Sequence, residues 1–520
     1  MNSRRDDSQR EVFEFLQNPR THGLSNPVTR IDTHGAAVFL CGPDVYKVKR
    51  AVRFPFMDFS TLAKRRAACE AEIAVNRANA PRLYLGTVPI TRDNGALRLG
   101  GDGPIVEWTV HLRRFDENAT LDHLIGKGSL GAGVIDALAQ AIVASHERAP
   151  LAHGAAATAA LRQTLEETSN ELLKAPDLFP AKETEALGAT LRAVFDRVEP
   201  LLLRRGAAGQ VRRCHGDLHL GNIVLIDDAP VLFDAIEFND DIATIDILYD
   251  LAFVIMDLCE HDRRDDANRL LNRYISSPGD PVQRIEGLAA FPLFLSLRAA
   301  IRARVLWERT RLVPDHAIQR QEAVAYFIKA GAFLRPIRPC LIAIGGLSGT
   351  GKTTLAGAIA PELGLAPGAV HLRSDVERKR LFDAKETDQL PAEAYDPRVS
   401  QAVYRKLRIL AEAALGAGRS VVVDATYRDA EERGAIEIVA KRANVPFHGF
   451  WLDAPVETMM RRVTERRGDA SDATSEVVAE QVQAPALVIA WHRIDTSQGR
   501  DAVKSTAHAI IQHEAENSAL

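Results

Sequence analysis

Gly346-Leu347-Ser348-Gly349-Thr350-Gly351-Lys352-Thr353-Thr354 sets glycines, a lysine and hydroxyls in the spacing GxxxxGK[ST]. The glycines let backbone N–H groups curl around phosphate oxygens, and a helix starting at the loop adds its partial positive charge. Lys352 would reach the β- and γ-phosphates of a nucleoside triphosphate, and the Thr353 hydroxyl would ligate Mg²⁺. An apolar run, Leu341 to Ile344, precedes the loop and an Ala-rich helical stretch, Thr354 to Leu363, follows it. The strand–loop–helix context favours a phosphate cradle over an idle glycine turn.

Three later segments extend this chemistry. Val421-Val-Val-Asp424 is an apolar strand ending in a carboxylate, the place of a second Mg²⁺-organising acid. His371-Leu-Arg373-Ser-Asp375-Val-Glu-Arg378-Lys379 puts an acid and several cations after the next strand. Asp375 would take the proton of an acceptor hydroxyl, and Arg378 would hold an anionic acceptor. An Arg-dense helix, including Arg462 and Arg466, runs into a polar loop. Its arginines would fold over the transferring phosphoryl group and stabilise its charge. Singly, each of these charges reads as ordinary solvated surface; beside the loop they read together.

A second constellation lies earlier, in Cys214-His-Gly-Asp217-Leu-His219-Leu-Gly-Asn222 and Val231-Leu-Phe-Asp234-Ala-Ile-Glu237. An Asp followed five residues later by an Asn, then strand, turn, strand and a second Asp, is the order of a phosphoryl-transfer loop. Asp217 would be the base, and Asn222 and Asp234 would hold the metal. His215 and His219 share the spacing of helical zinc ligands, but the glycines argue for a loop, where His215 braces the backbone. Asp246 and Asp250, on an apolar helix, read as structural.

These groups need elements to hold them. Short β-type runs alternate with turns over about 30–115, and helical patterns dominate about 116–334. This predicts a small β-rich lobe and a larger helical lobe. Arg335-Pro-Ile-Arg-Pro339 reads as a linker. Beyond it, short apolar runs at Leu341, Val370, Val421 and Phe447 alternate with helical stretches, the signature of a parallel α/β sheet. The expected division is therefore 1–334, a linker at 335–339, and 340–520. The expected fold class is an α+β bilobal domain followed by an α/β domain with a parallel sheet, and the resemblance of their motifs, to kinase-like and P-loop NTPase domains respectively, implies those folds.

Composition narrows the function. The 520 residues carry 65 Lys plus Arg against 69 Asp plus Glu, a formal net charge of −4, which disfavours a protein built to coat nucleic acid. The five cysteines are scattered with no CxxC pair, which fits a reducing compartment rather than a disulfide framework. No apolar run is long enough to span a bilayer, and the N-terminus turns acidic where a signal peptide needs an apolar stretch. The expectation is a cytoplasmic protein with no membrane partner.

The loop, the RSD…RK stretch, the VVVDAT strand and the RRGDASDA segment resemble the small P-loop kinases, a group with gluconate kinase-like, zeta-toxin-like and polynucleotide-kinase-like members. CHGDLHLGNIVL…VLFDAIEF resembles the aminoglycoside phosphotransferase, or choline-kinase-like, group, and lacks the HRD and DFG of eukaryotic protein kinases. That resemblance implies that Lys47, or Lys49 on the same strand face, holds the α/β-phosphates. It also implies that Glu72, or Glu70, pairs with that lysine, and that Val106 to Arg113 meets adenine. No GxGxxG covers the phosphates; Thr33-His34-Gly35 stands in its place. Together the halves resemble a bacterial group of fused proteins. The resemblance implies an ATP-dependent phosphotransferase with two ATP·Mg²⁺ sites acting on small hydroxyl-bearing molecules. The alternatives are that one half is a nucleotide-binding regulatory module, or that the C-terminal half is a polynucleotide or RNA-end kinase. Nucleic acid is the less favoured partner. The sequence leaves the acceptors and the oligomeric state open.

Overall fold

The computed structural model describes residues 9–54, 57–128, 130–310, 317–465, 468–485 and 487–517. The chain packs as two compact units. One comprises Met1–Thr164 and Leu202–Val254; the other comprises Leu165–Leu201 and Ile255–Leu520. This division by packing is a different one from the sequence division at 335–339, because helices before the linker pack with the P-loop sheet.

The first unit holds a six-stranded antiparallel sheet. Its strands are β1 (Thr29–Asp32), β2 (Ala36–Cys41), β3 (Asp44–Lys49), β4 (Tyr84–Asp93), β5 (Ala96–Leu99) and β6 (Ile105–Arg113), in the order β1-β2-β3-β6-β4-β5. The helix Arg10–Gln17 covers one face through Val12, Phe13 and Leu16, which pack on Phe39 and Val48. The helix Leu62–Asn76 packs on β6 and β4, and its Cys69 joins Tyr84 and Val110 in a separate core. Alternation along β3 therefore sends Val48 to the first core and Lys47 and Lys49 to the opposite face. Thr61 caps this helix by accepting from Lys64 N. Thr33-His34-Gly35 is the turn between β1 and β2.

The remainder of the unit is mainly helical. From Leu202 the last turns of the helix Ala181–Ala207 belong to this unit and lead to the strand Val211–Arg213, which pairs antiparallel with Thr244–Asp246. Asp246 thus belongs to a strand, where the sequence reading put it on a helix. The buried Arg205 guanidinium grips Asp246 through two bonds of 2.7 Å, fixing the helix exit against the strand. A hairpin, Ile223–Ile226 and Ala229–Leu232, turns through Asp227 and Asp228, both with positive φ.

The second unit is built on a five-stranded sheet. Its strands are β7 (Leu341–Gly346), β8 (Val370–Arg373), β9 (Val421–Asp424), β10 (Phe447–Asp453) and β11 (His492–Asp495), in the order β8-β9-β7-β10-β11. Every pairing is parallel. The chain goes from β7 to one side of the sheet and later to the other. The connections therefore reverse direction at the carboxyl end of β7, the kind of switch point where such folds bind ligands. All of β7 is buried, and Ile342 and Ile344 pack against Leu355, Ala356 and Ile359 of the helix Lys352–Ile359. No described helix is long and apolar enough to cross a membrane.

Gly154 and Gly206 bring two helix ends of the first unit into backbone contact. A Cβ at Gly206 would meet Gly154 Cα at 2.5 Å. Gly206→Ala is expected to lower stability by about 1–3 kcal/mol through overpacking, read as a lower denaturant midpoint. An unchanged midpoint would show that the helices separate freely.

Candidate functional site

In the first unit the strand Val211–Arg213 delivers the chain into the loop of Asp217. Gly216 has φ +84°, and a Cβ there would meet Ala243 at 3.2 Å, so only glycine suits both the turn and the space. Asp250 accepts from Gly216 N (2.9 Å) and from His215 N (3.3 Å), which fixes the loop backbone. The His215 ring lies 2.9 Å from Phe233 O and ties the loop to the strand that ends before Asp234. Asn222 Nδ2 donates to Asp217 O (2.9 Å) and Oδ2 (3.2 Å). Asp250, read from the sequence as structural, shapes the loop that carries Asp217.

Asp234 sits in the left-handed region at φ +61°, with its N–H donated to the Tyr84 hydroxyl at 3.0 Å. The backbone thus turns the carboxylate toward β3. Lys47 Nζ donates to Asp234 Oδ1 (2.7 Å) and to Glu72 Oε1 (2.9 Å). Lys49 Nζ pairs with Glu72 Oε2 (2.5 Å) and with Glu237. Glu70 instead pairs with Arg66 on the exposed side of the helix. Both lysines of the open choice therefore meet Glu72, and among the described residues Lys47 is the one that pairs with Asp234. Glu237 lay inside the quoted motif without a role; Tyr84 carried no local signal.

Charge balance follows from burial. Desolvation opposes the ammonium of Lys47, but Asp234, Glu72 and Glu237 override it and raise its pKa well above the ordinary value. Desolvation works to raise the Asp234 and Glu72 carboxyls, and the lysines hold both below the usual range. For Glu237 burial wins, and its pKa is raised.

Among the described residues, the group whose donor atoms cluster as metal ligands do is His146, Cys214 and Asp250. Asp250 there already accepts two backbone bonds. The His215–His219 zinc alternative gains nothing: His215 turns to Phe233 O and His219 accepts from Gly221 N.

In the second unit, β7 runs into the loop and out through the helix beginning at Lys352. Gly349 has φ +81°, and a Cβ would meet Met459 O at 2.5 Å. Lys352 Nζ donates to Leu347 O at 2.9 Å. Thr350 Oγ1 donates to Leu347 O (2.8 Å), and Thr496 Oγ1 donates to Thr350 O (2.8 Å). Thr353 and Thr354 stand in the first turn of the helix. Gln481 accepts from Ser348 N (2.8 Å) and donates to Ser348 Oγ (3.2 Å), a contact across 133 residues that no spacing announces.

Parallel register sets Asp424 beside Ile344 on one side and Arg373 on the other. Asp424 Oδ2 lies 2.6 Å from His371 Nε2. Desolvation works to raise the Asp424 carboxyl, and His371, Arg373 and Lys352 hold it below the usual range. Asp375, at the start of the helix Ser374–Leu381, is pushed up by burial and by Asp424, against Lys352 and Arg373. Asp424, Asp375 and Lys352 thus share one electrostatic neighbourhood.

Arg462 contacts Thr496 O (2.7 Å), Thr496 Oγ1 (3.1 Å) and the carbonyls of Gly349 and Thr350, bracing the loop backbone. Arg466 lies outside the described residues. Arg373 pairs with Asp469. Arg378 donates to Ala394 O (2.5 Å) and lies over the Tyr395 ring. Lys379 pairs with Asp472 at 2.6 Å.

Both donor sets, Asp217/Asn222/Asp234 and Thr353/Asp424, offer oxygen acceptors of the kind Mg²⁺ takes. The phosphotransferase enzyme family matches residues 47–286, and the AAA domain family matches residues 341–486. One stretch of the chain is thus similar to phosphotransferases, which as kinases use ATP, typically with Mg²⁺, and a later stretch to a P-loop family. An uncharacterised protein of Mycobacterium tuberculosis is 29% identical over 493 residues, covering 92% of this chain and 94% of that protein. Among solved structures, a choline/ethanolamine kinase family protein from Mesorhizobium loti is 14% identical, covering 63% of this chain and 95% of its own, with a TM-score of 0.38. A gluconokinase from Sinorhizobium meliloti is 20% identical over 35% of this chain and 97% of its own, with a TM-score of 0.25.

Burial holds the His215 pKa below its ordinary value, against the pull of Asp250 and Asp217. A histidine with a lower pKa folded than unfolded stabilises above the unfolded pKa of about 6.5, and that stability is lost as pH falls below it. The denaturant midpoint is expected to drop between about pH 7 and pH 5, less steeply in His215→Gln. Parallel slopes for the two proteins would refute this assignment.

Proposed function

We propose that this chain is an ATP-dependent phosphotransferase with two ATP·Mg²⁺ sites, each passing the γ-phosphoryl group to a hydroxyl of a small molecule. The observation that carries this reading is the pairing of Lys47 with both Glu72 and Asp234, while Asn222 is bonded to the Asp217 loop. In the first site Lys47 holds the α/β-phosphates, Glu72 fixes Lys47, and Asn222 and Asp234 hold the metal. Asp217 accepts the acceptor hydroxyl proton while the new O–P bond forms and the bond from the γ-phosphorus to the β–γ bridging oxygen breaks. In the second site the loop from Gly346 to Thr354 cradles the phosphates, with Lys352 on the β- and γ-phosphates. Thr353 and Asp424 hold the metal, and Asp375 is the base. Bound Mg²⁺ neutralises charge on the β- and γ-oxygens in both. Arg462 supports the loop.

The polynucleotide-kinase reading needs free cations along 373–380. Arg373, Lys379 and Arg380 are paired with Asp469, Asp472 and Glu377, and Arg378 is bonded to Ala394 O. The charge neutralised in those three ion pairs favours a small acceptor.

The test is ATP consumption against sugars, amino alcohols, nucleosides and short RNA, using the intact chain, Asp217→Ala and Lys352→Ala. Each substitution is expected to reduce phosphorylation of a different acceptor by a hundredfold or more, at roughly the scale of removing a catalytic base or phosphate cation. Loss of all turnover in Lys352→Ala, with none in Asp217→Ala, would make the first site a nucleotide-binding module. Phosphorylation of RNA ends with steep salt dependence would favour the polynucleotide reading.

A further inference from the structure

β8 is a four-residue edge strand that carries His371 and Arg373 and delivers the chain to Asp375. Its inner side is bonded to the sheet, with Val370 N donating to Ser420 O at 2.9 Å. Strand alternation therefore turns Ala369 O and His371 N outward, where an edge strand has no ladder partner. Both outward groups are satisfied by side-chain amides of the helix Arg264–Ser276. His371 N donates to Asn272 Oδ1 (2.8 Å), and Asn272 Nδ2 donates to Ala369 O (3.2 Å). Asn268 Nδ2 adds a bond to Ala369 O (3.0 Å). One amide thus supplies an acceptor and a donor at the spacing of a neighbouring strand. Arg380 Nη2 donates to Ser276 O (2.8 Å), and Arg264 Nη2 donates to Gly364 O (3.0 Å), seating both ends of the same helix.

We propose that Asn272 is a positioning residue of the P-loop site, acting through the edge strand to hold His371 against Asp424. His371 bridges the two by its backbone N–H to Asn272 and its ring to Asp424 Oδ2. Losing Asn272 frees the strand's outer side, and the ring loses the backbone anchor that sets its reach. The expected consequence is a less well placed Asp424 carboxylate and weaker metal-dependent nucleotide binding. This inference rests on the reading of the P-loop as a nucleotide site with Asp424 as a metal-holding acid.

The test uses the full chain, a fluorescent ATP analogue and titrated Mg²⁺, counting only the binding that Lys352→Ala removes. Asn272→Ala is expected to raise the Mg²⁺ concentration at half-maximal binding on the order of tenfold, the scale of losing an outer-sphere orienting group. Hydrogen exchange should rise in peptides over 369–375 and stay unchanged over 341–346. Asn272→Ala with His371→Ala should bind no worse than His371→Ala alone, because the two act in series. Asn268→Ala, which leaves His371 N held, should loosen 369–375 with a smaller Mg²⁺ shift, and serves if Asn272→Ala fails to fold. An unchanged Mg²⁺ midpoint in whichever variant folds, or additive effects with His371→Ala, overturns the proposal. Nucleotide binding that Lys352→Ala leaves intact is a different failure: it removes the P-loop reading, and this inference with it.

Discussion

A buried ammonium has to be matched by carboxylates, and that requirement organises the kinase-like unit. Lys47 and Lys49 lie two residues apart on one face of β3, so each would repel the other in a medium poor in water. Glu72 resolves this by giving one oxygen to each lysine, while Asp234 and Glu237 close the two ends. The sheet, the helix Leu62–Asn76 and the segment after the hairpin are thereby held in one register. Asp234 adopts its left-handed backbone within this network.

The P-loop unit meets a different constraint, at the level of the backbone. A loop that offers its N–H groups to phosphate must have its carbonyls and its outer surface held elsewhere. Thr496 and Arg462 take the carbonyls of Gly349 and Thr350, Gln481 takes the amide of Ser348, and Met459 closes over Gly349. Beside the loop, Asp472 accepts from Lys379, Tyr395 and Leu390 N, so the segment after the Arg-dense helix is fastened to the one that follows Asp375.

Much of this was legible because it is local. The loop, the Asp217–Asn222–Asp234 order and the alternation that pairs Lys47 with Lys49 all lie within short windows of spacing. The two lobes of the first site and the parallel sheet of the second also follow from hydrophobic period. What spacing could not reveal was partnership across long separations. Glu72 and Glu70 are equivalent on a helix until packing decides which faces β3. Arg462 reads as a free cation until Thr496 arrives from the end of β11. Asn272 is one polar residue on an amphipathic helix, and nothing beside it announces a strand edge nearly a hundred positions on. The 335–339 linker was read from its prolines, yet packing groups the chain by which surfaces need cover.

The borrowed amide on β8 bears on how such a chain can be divided by recombination. A sheet that closes its own edge can be moved between proteins as a block. Here the outer edge of the P-loop sheet is closed by residues that precede the linker, so the piece that is complete in hydrogen bonding begins upstream of the proline-marked boundary. The fragment that can be inherited intact is larger than the fragment that carries the motif.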